Sequence, residues 1–374
     1  MARNNHDIFI VVTAVILAAV LHSCTEVEFG ESEYTADNTG ISFLFDWGGF
    51  KSEPEYGIPD EMTVLMSRII NTVHYAWVTD STGKILSELK DTTAREETAD
   101  SLAVVDNGTY YLMAVQENPK YYDISDLHGF PTDEEVSMKD FILTLNTPTE
   151  EEIDSIFSSG RIDFNSSIEH VYNPGPVFYE MQEVLRVFPD TQSEITIAPK
   201  SIAQKLTFRL NIDLDEGVRI NEIVAEISGV GNNIELMSGT IDATRIYRSV
   251  FRMYETAVSD TVHTYEGDVY VFGLFPSKDR TLVTGPGILQ LSIKAAYEDF
   301  SKSFHAGINL CETISGANLM TSLGNGLYRV EKEEAVLEIL STLTIRGDQI
   351  IPGNNDQGLD AWFDSEDNEF DIEL

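Results

Sequence analysis

Cysteine is nearly absent: the chain of 374 residues has two, too few for the disulfide framework that staples small exported domains. Cations are scarce as well. Lys and Arg number 24 against 63 Asp and Glu, a formal net charge of −39 at pH 7. Such a field repels phosphate backbones and anionic lipid headgroups, so nucleic acid is not an expected partner. Beyond Leu21 no apolar run approaches the roughly 20 residues that a bilayer-crossing helix needs. The histidines (His6, His22, His74, His128, His170, His263 and His305) show neither His-x-x-x-His nor Glu-x-x-His spacing. A helical zinc site therefore has no support. No Gly-x-Ser-x-Gly elbow is present. Gly229-Val230-Gly231 and Gly285-Pro286-Gly287 lack a third glycine and a following helix, and read as turns. The expectation is a protein that is not an enzyme, with no catalytic residue, no cofactor and no metal.

What is present begins at the N-terminus. Ile8 to Leu21 is an apolar run behind Arg3, too short to span a membrane and of the length of a signal-peptide core. It closes on Leu21-His22-Ser23-Cys24. Leu stands at the third position before Cys and a small residue just before it, the pattern that ends the leader of a bacterial lipoprotein precursor. This places cleavage between Ser23 and Cys24 and acylation, palmitate included, on Cys24. Two or three acyl chains anchor a protein stably, whereas one does not. The alternative is an ordinary secretory signal with an incidental cysteine. With Cys24 acylated, Cys311 is left without a partner. It follows Ile308-Asn309-Leu310 and reads as a small buried hydrophobe.

The pattern predicts a signal peptide at 1–23, an acidic, flexible tether at 24–38, and strands from residue 39. Leu206 to Leu214 alternates apolar and polar without a miss, the mark of a sheet with one wet face. Leu289, Leu291, Ile293 and Ala295 repeat it, as do Leu337, Ile339, Leu343 and Ile345. Asn107-Gly108 and Asn325-Gly326 are turn signals ahead of Thr109–Val115 and Leu327-Tyr328. Residues 62–78 carry helical spacing and β-forming residues together; the composition tips them towards strand. Thr149, with Glu152 three residues on, predicts a capping box opening a helix to Phe157. Phe188 to Ser193 is the best domain boundary. The expected fold is all-β with minor α: two tandem antiparallel β-sandwich domains, 39–190 and 191–351. An acidic tail occupies 352–374, with Leu359, Trp362, Phe363, Phe370 and Ile372 as apolar residues.

Three further patterns are weighed. Arg346-Gly347-Asp348 spells a tripeptide that some adhesion receptors read, and Gly-Asp is also ordinary turn chemistry. Tyr110, Tyr111, Tyr121 and Tyr122 could form a carbohydrate platform or fill a core. Asp364, Glu366 and Asp367 suggest calcium, but the glycine of an EF-hand loop is missing.

The lipobox cysteine, the acidic tether and the two strand-rich halves resemble the fimbrillin and fimbrium-anchor lipoproteins of Bacteroidales. The segments that carry the likeness are Asp106–Val115, Ile223–Gly229, Val271–Pro276 and Val336–Ile345. The resemblance implies transthyretin-like sandwiches and export to the outer face of the outer membrane. It also implies partners: outer-membrane lipid through Cys24, and fimbrial or other surface protein subunits joined by β-strand addition. In that group pilins are cut by an arginine-specific protease near the first strand, while anchors keep their lipid. From Thr25 to Phe50 this chain has no Lys or Arg, which favours an anchor or accessory subunit. A surface glycan- or host-binding module is the alternative.

Overall fold

Side-chain alternation decides the sheets. The computed structural model describes residues 40–351 except 49, 51–55, 69–72, 91–93, 98–101, 126, 128–135, 158–166, 189–190, 280, 283 and 348. In the first lobe a three-stranded sheet packs on a seven-stranded one. The small sheet holds β1 (Gly40–Phe45) between β11 (Gln192–Ile197), which runs parallel to it, and the antiparallel β6 (Ala103–Val104). The large sheet runs β12 (Lys200–Ser201), β10 (Phe178–Val187), β7 (Gly108–Val115), β2 (Glu61–Ser67), β3 (Tyr75–Asp80), β4 (Ile85–Lys90) and β5 (Ala94–Glu97). Ile41, Phe43 and Phe45 of β1 meet Val64, Trp77 and Leu112 of the large sheet in one buried cluster.

The second lobe is built on an eight-stranded sheet. Its order is β20 (Ser301–Asn309), β19 (Ile288–Ala296), β14 (Arg219–Val230), β17 (Tyr247–Ser259), β18 (Val262–Val271), β13 (Gln204–Leu214), β23 (Glu334–Arg346) and β24 (Gln349–Ile351). Strand β17 turns the corner. Residues 247–253 pair with β14 and 254–259 with β18, with a register shift between Glu255 and Ala257. The sheet so folded encloses its own core, in which the rings of Phe208 and Phe251 lie 5.2 Å apart. A six-stranded sheet joins late and early segments: β21 (Met320–Gly324), β22 (Leu327–Val330), β16 (Thr240–Asp242), β15 (Asn233–Glu235), β9 (Ile142–Leu145) and β8 (Tyr122–Ile124).

The two lobes repeat one topology. The trio β11, β1, β6 recurs as β23, β13, β18, each with its first pair parallel and its second antiparallel. The order β3, β2, β7, β10 recurs as β17, β14, β19, β20. The fold is thus all-β with minor α and tandem sandwiches. The repeat is incomplete at one place. Strand β13 meets β18 over ten residues, whereas β1 meets β6 over two. The division expected at 190/191 falls between β10 and β11. Pairing of β11 with β1 carries the first lobe to Ile197, and β13 opens the second at Gln204.

The helix-like spacing at 62–78 has a physical cause. Strands β2 and β3 are covered on both faces: Val64 and Met66 belong to one core cluster, Leu65 and Ala76 to the other. A strand buried on both faces has no period of two. Helix α1 (Glu150–Ile156) forms where the capping box predicts. The Glu152 N–H donates to Thr149 Oγ1 at 3.2 Å, and Glu152 Oε2 accepts the Thr149 N–H at 2.9 Å. That backbone donor, then the Tyr172 hydroxyl at 2.8 Å, holds the Glu152 carboxyl below the usual carboxylate range. The cap therefore stabilises fully above the carboxyl's unfolded-state value and is lost as pH falls through the folded one. Hydrogen exchange of α1 amides is expected to quicken below about pH 4, earlier than in the sheets, and Glu152→Gln should remove that pH dependence.

Candidate functional site

Strands β23 and β1, each flanked on both sides in its sheet, are paired over only part of one side among the described residues. Strand β23 has 13 residues. One side pairs with β13 from Glu334 to Ile345; on the other, strand pairing among the described residues is that of Thr344, Ile345 and Arg346 with β24. Ala335, Leu337 and Ile339 point inward, while Val336 (52% exposed) and Leu340 (61%) point out. Glu334 and Glu338 share the outward row with them, so charge partly blunts an edge that otherwise is a template for another strand. Strand β11, its counterpart in the first lobe, is six residues long and exposes Gln192, Glu194 and Thr196. The contrast singles out β23.

The second edge belongs to β1. The Gly40 and Asp46 N–H groups donate to Thr191 and Ile197, so the carbonyl of Phe43 faces away from β11. There it meets the turn between β3 and β4: a Cβ built on Gly83 would lie 2.2 Å from Phe43 O. The hairpin tip stands where a fuller β6 would lie.

The side chains singled out by sequence fall in different places. Ser23, Cys24, the 24–38 tether and the 352–374 tail, with its acidic residues, lie outside the described residues. Arg346 is half-buried, with Nη2 2.5 Å from Asp213 Oδ2 and Nη1 3.2 Å from Asp215 Oδ1. Gly347 N–H donates to Asp215 Oδ2 at 2.8 Å. Asp348 lies outside the described residues. The tyrosine platform is overturned in part. Tyr110 and Tyr122 are buried, their hydroxyls donating to the Asp106 and Gln116 carbonyls at 2.7 and 2.9 Å. Tyr111 and Tyr121 are half-buried: Tyr111 points to the opposite face of β7 from Tyr110, and Tyr121 sits in the turn before β8. Cys311 is half-buried, not buried. It opens helix α2 (Cys311–Ala317), and its thiol donates to the Ser277 carbonyl at 3.2 Å.

Among the described residues no group of three or more His, Cys, Asp or Glu is placed to hold a metal ion. Of the histidines, His170 reaches Glu226 at 2.9 Å, His263 reaches Glu255 at 2.7 Å and His305 reaches Ser292 at 3.1 Å. No helix is long and apolar enough to cross a membrane among the described residues.

No family model and no curated protein matches the chain. Solved structures do. A candidate adhesin from Bacteroides ovatus aligns at 12% identity, covering 85% of this chain and 93% of its own, with a TM-score of 0.43. A candidate polysaccharide-binding protein from Bacteroides thetaiotaomicron aligns at 14% identity, covering 88% and 99%, with a TM-score of 0.38. The fimbrial anchor protein Mfa2 from Porphyromonas gingivalis aligns at 10% identity, covering 87% and 97%, with a TM-score of 0.36.

Proposed function

We propose that the chain is a cell-surface structural lipoprotein, an anchor or accessory subunit of a fimbria-like assembly. It is held to the outer membrane through acylated Cys24 and takes a partner's strand on the open edge of β23. The observation that carries the reading is that edge: no described strand pairs with residues 334–339 on one side, and Val336 and Leu340 are exposed. Backbone hydrogen bonds along it would supply affinity, and the spacing of the outward side chains would set register. The absence of Lys and Arg from Thr25 to Phe50 supports an anchor over a subunit cut by an arginine-specific protease.

A photo-crosslinking residue at Val336, in the full chain expressed in its own envelope, is expected to trap a ladder of evenly spaced masses. Val336→Lys with Leu340→Lys should abolish the ladder, because two ammonium groups on an edge disfavour an incoming strand. The same pair in a chain ending at Ile351 separates capture of a partner from pairing with the chain's own last residues. An unchanged ladder in the lysine variant removes the proposal. Cys24→Ala should release the protein from the membrane; continued attachment would refute the lipid assignment.

A further inference from the structure

The residues that follow β1 build a platform that strand addition does not use. Asp46 Oδ1 accepts the Gly48 N–H at 2.8 Å, and the Phe50 N–H donates to the Trp47 carbonyl at 2.9 Å. Gly48 sits at φ +57°, where a side chain would be strained. This turn brings the Trp47 and Phe50 rings edge-on to buried Phe178, with centroids 5.1 and 4.7 Å away. Trp47 also stacks on Phe45 at 5.6 Å, and its indole N–H donates to the Ser81 carbonyl at 2.8 Å. The indole is therefore fixed before any ligand arrives. Trp47 and Phe50 are each half-buried. They line a cleft of about 560 Å³ where the two lobes meet, inside the roughly 300–1,000 Å³ range of small-molecule sites. Asp46, Lys200, Ser201, Glu333 and Glu334 also line it. Among the described residues the side chains of Lys200, Glu333 and Glu334 have no ion-pair partner.

We propose that this cleft binds a neutral oligosaccharide. The C–H face of a pyranose ring is an apolar plane that suits the fixed Trp47 and Phe50 rings. Its hydroxyls are donors for the Asp46, Glu333 and Glu334 carboxylates and acceptors for Lys200. A purely apolar ligand would strip water from three carboxylates and return no hydrogen bond, which is costly. An acidic glycan would meet those carboxylates and a chain of net charge −39. Neutral sugar is the class that satisfies both the rings and the charges. The cleft meets the β23 edge at Glu334 and shares neither Val336 nor Leu340 with it, so the two sites can be tested separately.

The test titrates the full chain with neutral gluco-, manno- and galacto-oligosaccharides, with uronate and sulfated oligosaccharides, and with an oligolysine peptide. Tryptophan fluorescence and calorimetry at low and physiological salt are the readouts. At least one neutral oligosaccharide is expected to bind, with an affinity insensitive to salt and a shift in emission. Trp47→Ala should weaken it by about tenfold or more and abolish the shift. Glu334→Gln, at an exposed position, should weaken it by a smaller factor at unchanged thermal stability. Val336→Lys with Leu340→Lys should leave it intact, so failure of strand capture and failure of sugar binding are distinguishable. Binding of no neutral sugar, unchanged binding in Trp47→Ala, or binding only of the acidic or the oligolysine ligands would each overturn the proposal.

Discussion

Arg248→Met is expected to lower the unfolding free energy by about 3–5 kcal/mol, the usual cost of stranding one partner of a buried ion pair. Glu226 on β14 and Arg248 on β17 face each other on the side of the sheet away from the main core. Arg248 Nη1 lies 2.9 Å from Glu226 Oε1, and His170 Nε2 lies 2.9 Å from Glu226 Oε2. All three side chains are buried, at 3–4% exposure. The segment that covers them is held by its backbone as well: the Arg248 N–H donates to the Glu169 carbonyl at 3.0 Å and the Val171 N–H to the Arg248 carbonyl at 2.8 Å. Next to this cluster Ile153 and Phe157, at and just beyond α1, pack on Val224 and Val250. Without the guanidinium, the Glu226 carboxylate stays under this cover with that ion pair gone. Urea unfolding of the full chain measures the loss. Glu226→Leu combined with Arg248→Met should recover most of it, since replacing a buried pair by apolar residues of similar volume is often neutral. A single-variant loss below about 1 kcal/mol, the scale of an exposed pair, would mean that water reaches the cluster.

How much of this was legible in the sequence depends on how local the cause is. The capping box at Thr149 and Glu152 acts within one turn, and it reads directly. Strand β13 shows its inward row, Leu206 to Leu214, because one face of it is wet; its partially exposed residues include Thr207, Arg209 and Asn211. Strands β2 and β3 hide their period because both faces are covered. Trp47 continues the alternation of Ile41, Phe43 and Phe45, but the strand stops at Phe45. The Asx contact of Asp46 with Gly48 supplies the stop, and that signal was available in Asp46-Trp47-Gly48. The Glu226, Arg248 and His170 cluster gives no local sign: its members lie 22 and 56 residues apart. The free edge of β23 is equally silent, because pairing is decided by strands over 120 residues away. Among 63 acidic residues, the few that carry a structural or binding role cannot be told from those that only keep the surface charged.

Gly83→Ala should cost about 2–4 kcal/mol and expose the edge of β1, through strain and overpacking together. Gly83 sits at φ +98°, where L residues pay roughly 1–2 kcal/mol. The added methyl would also lie 2.2 Å from Phe43 O and 2.5 Å from Phe43 C. Those are backbone atoms, fixed by six residues of pairing between β1 and β11, and they cannot swing aside as a side chain could. The hairpin tip must lift instead, taking with it the Ser81 carbonyl that fixes the Trp47 indole. Hydrogen exchange should then accelerate at residues 41–45 more than in β13, whose antiparallel partner is complete. With the tip displaced, β1 offers its unpaired backbone groups over 42–45, so concentration-dependent association should appear in sedimentation where the parent chain shows none from this edge. Thr82→Ala, at an exposed neighbour in the same turn, controls for loss of the local Asp80 hydrogen bond at 2.6 Å and should stay within about 0.5 kcal/mol of the parent. Equal exchange of β1 in Gly83→Ala and the parent would mean that the tip does not shield the strand. The short β6 would then be all that keeps β1 closed to a competitor.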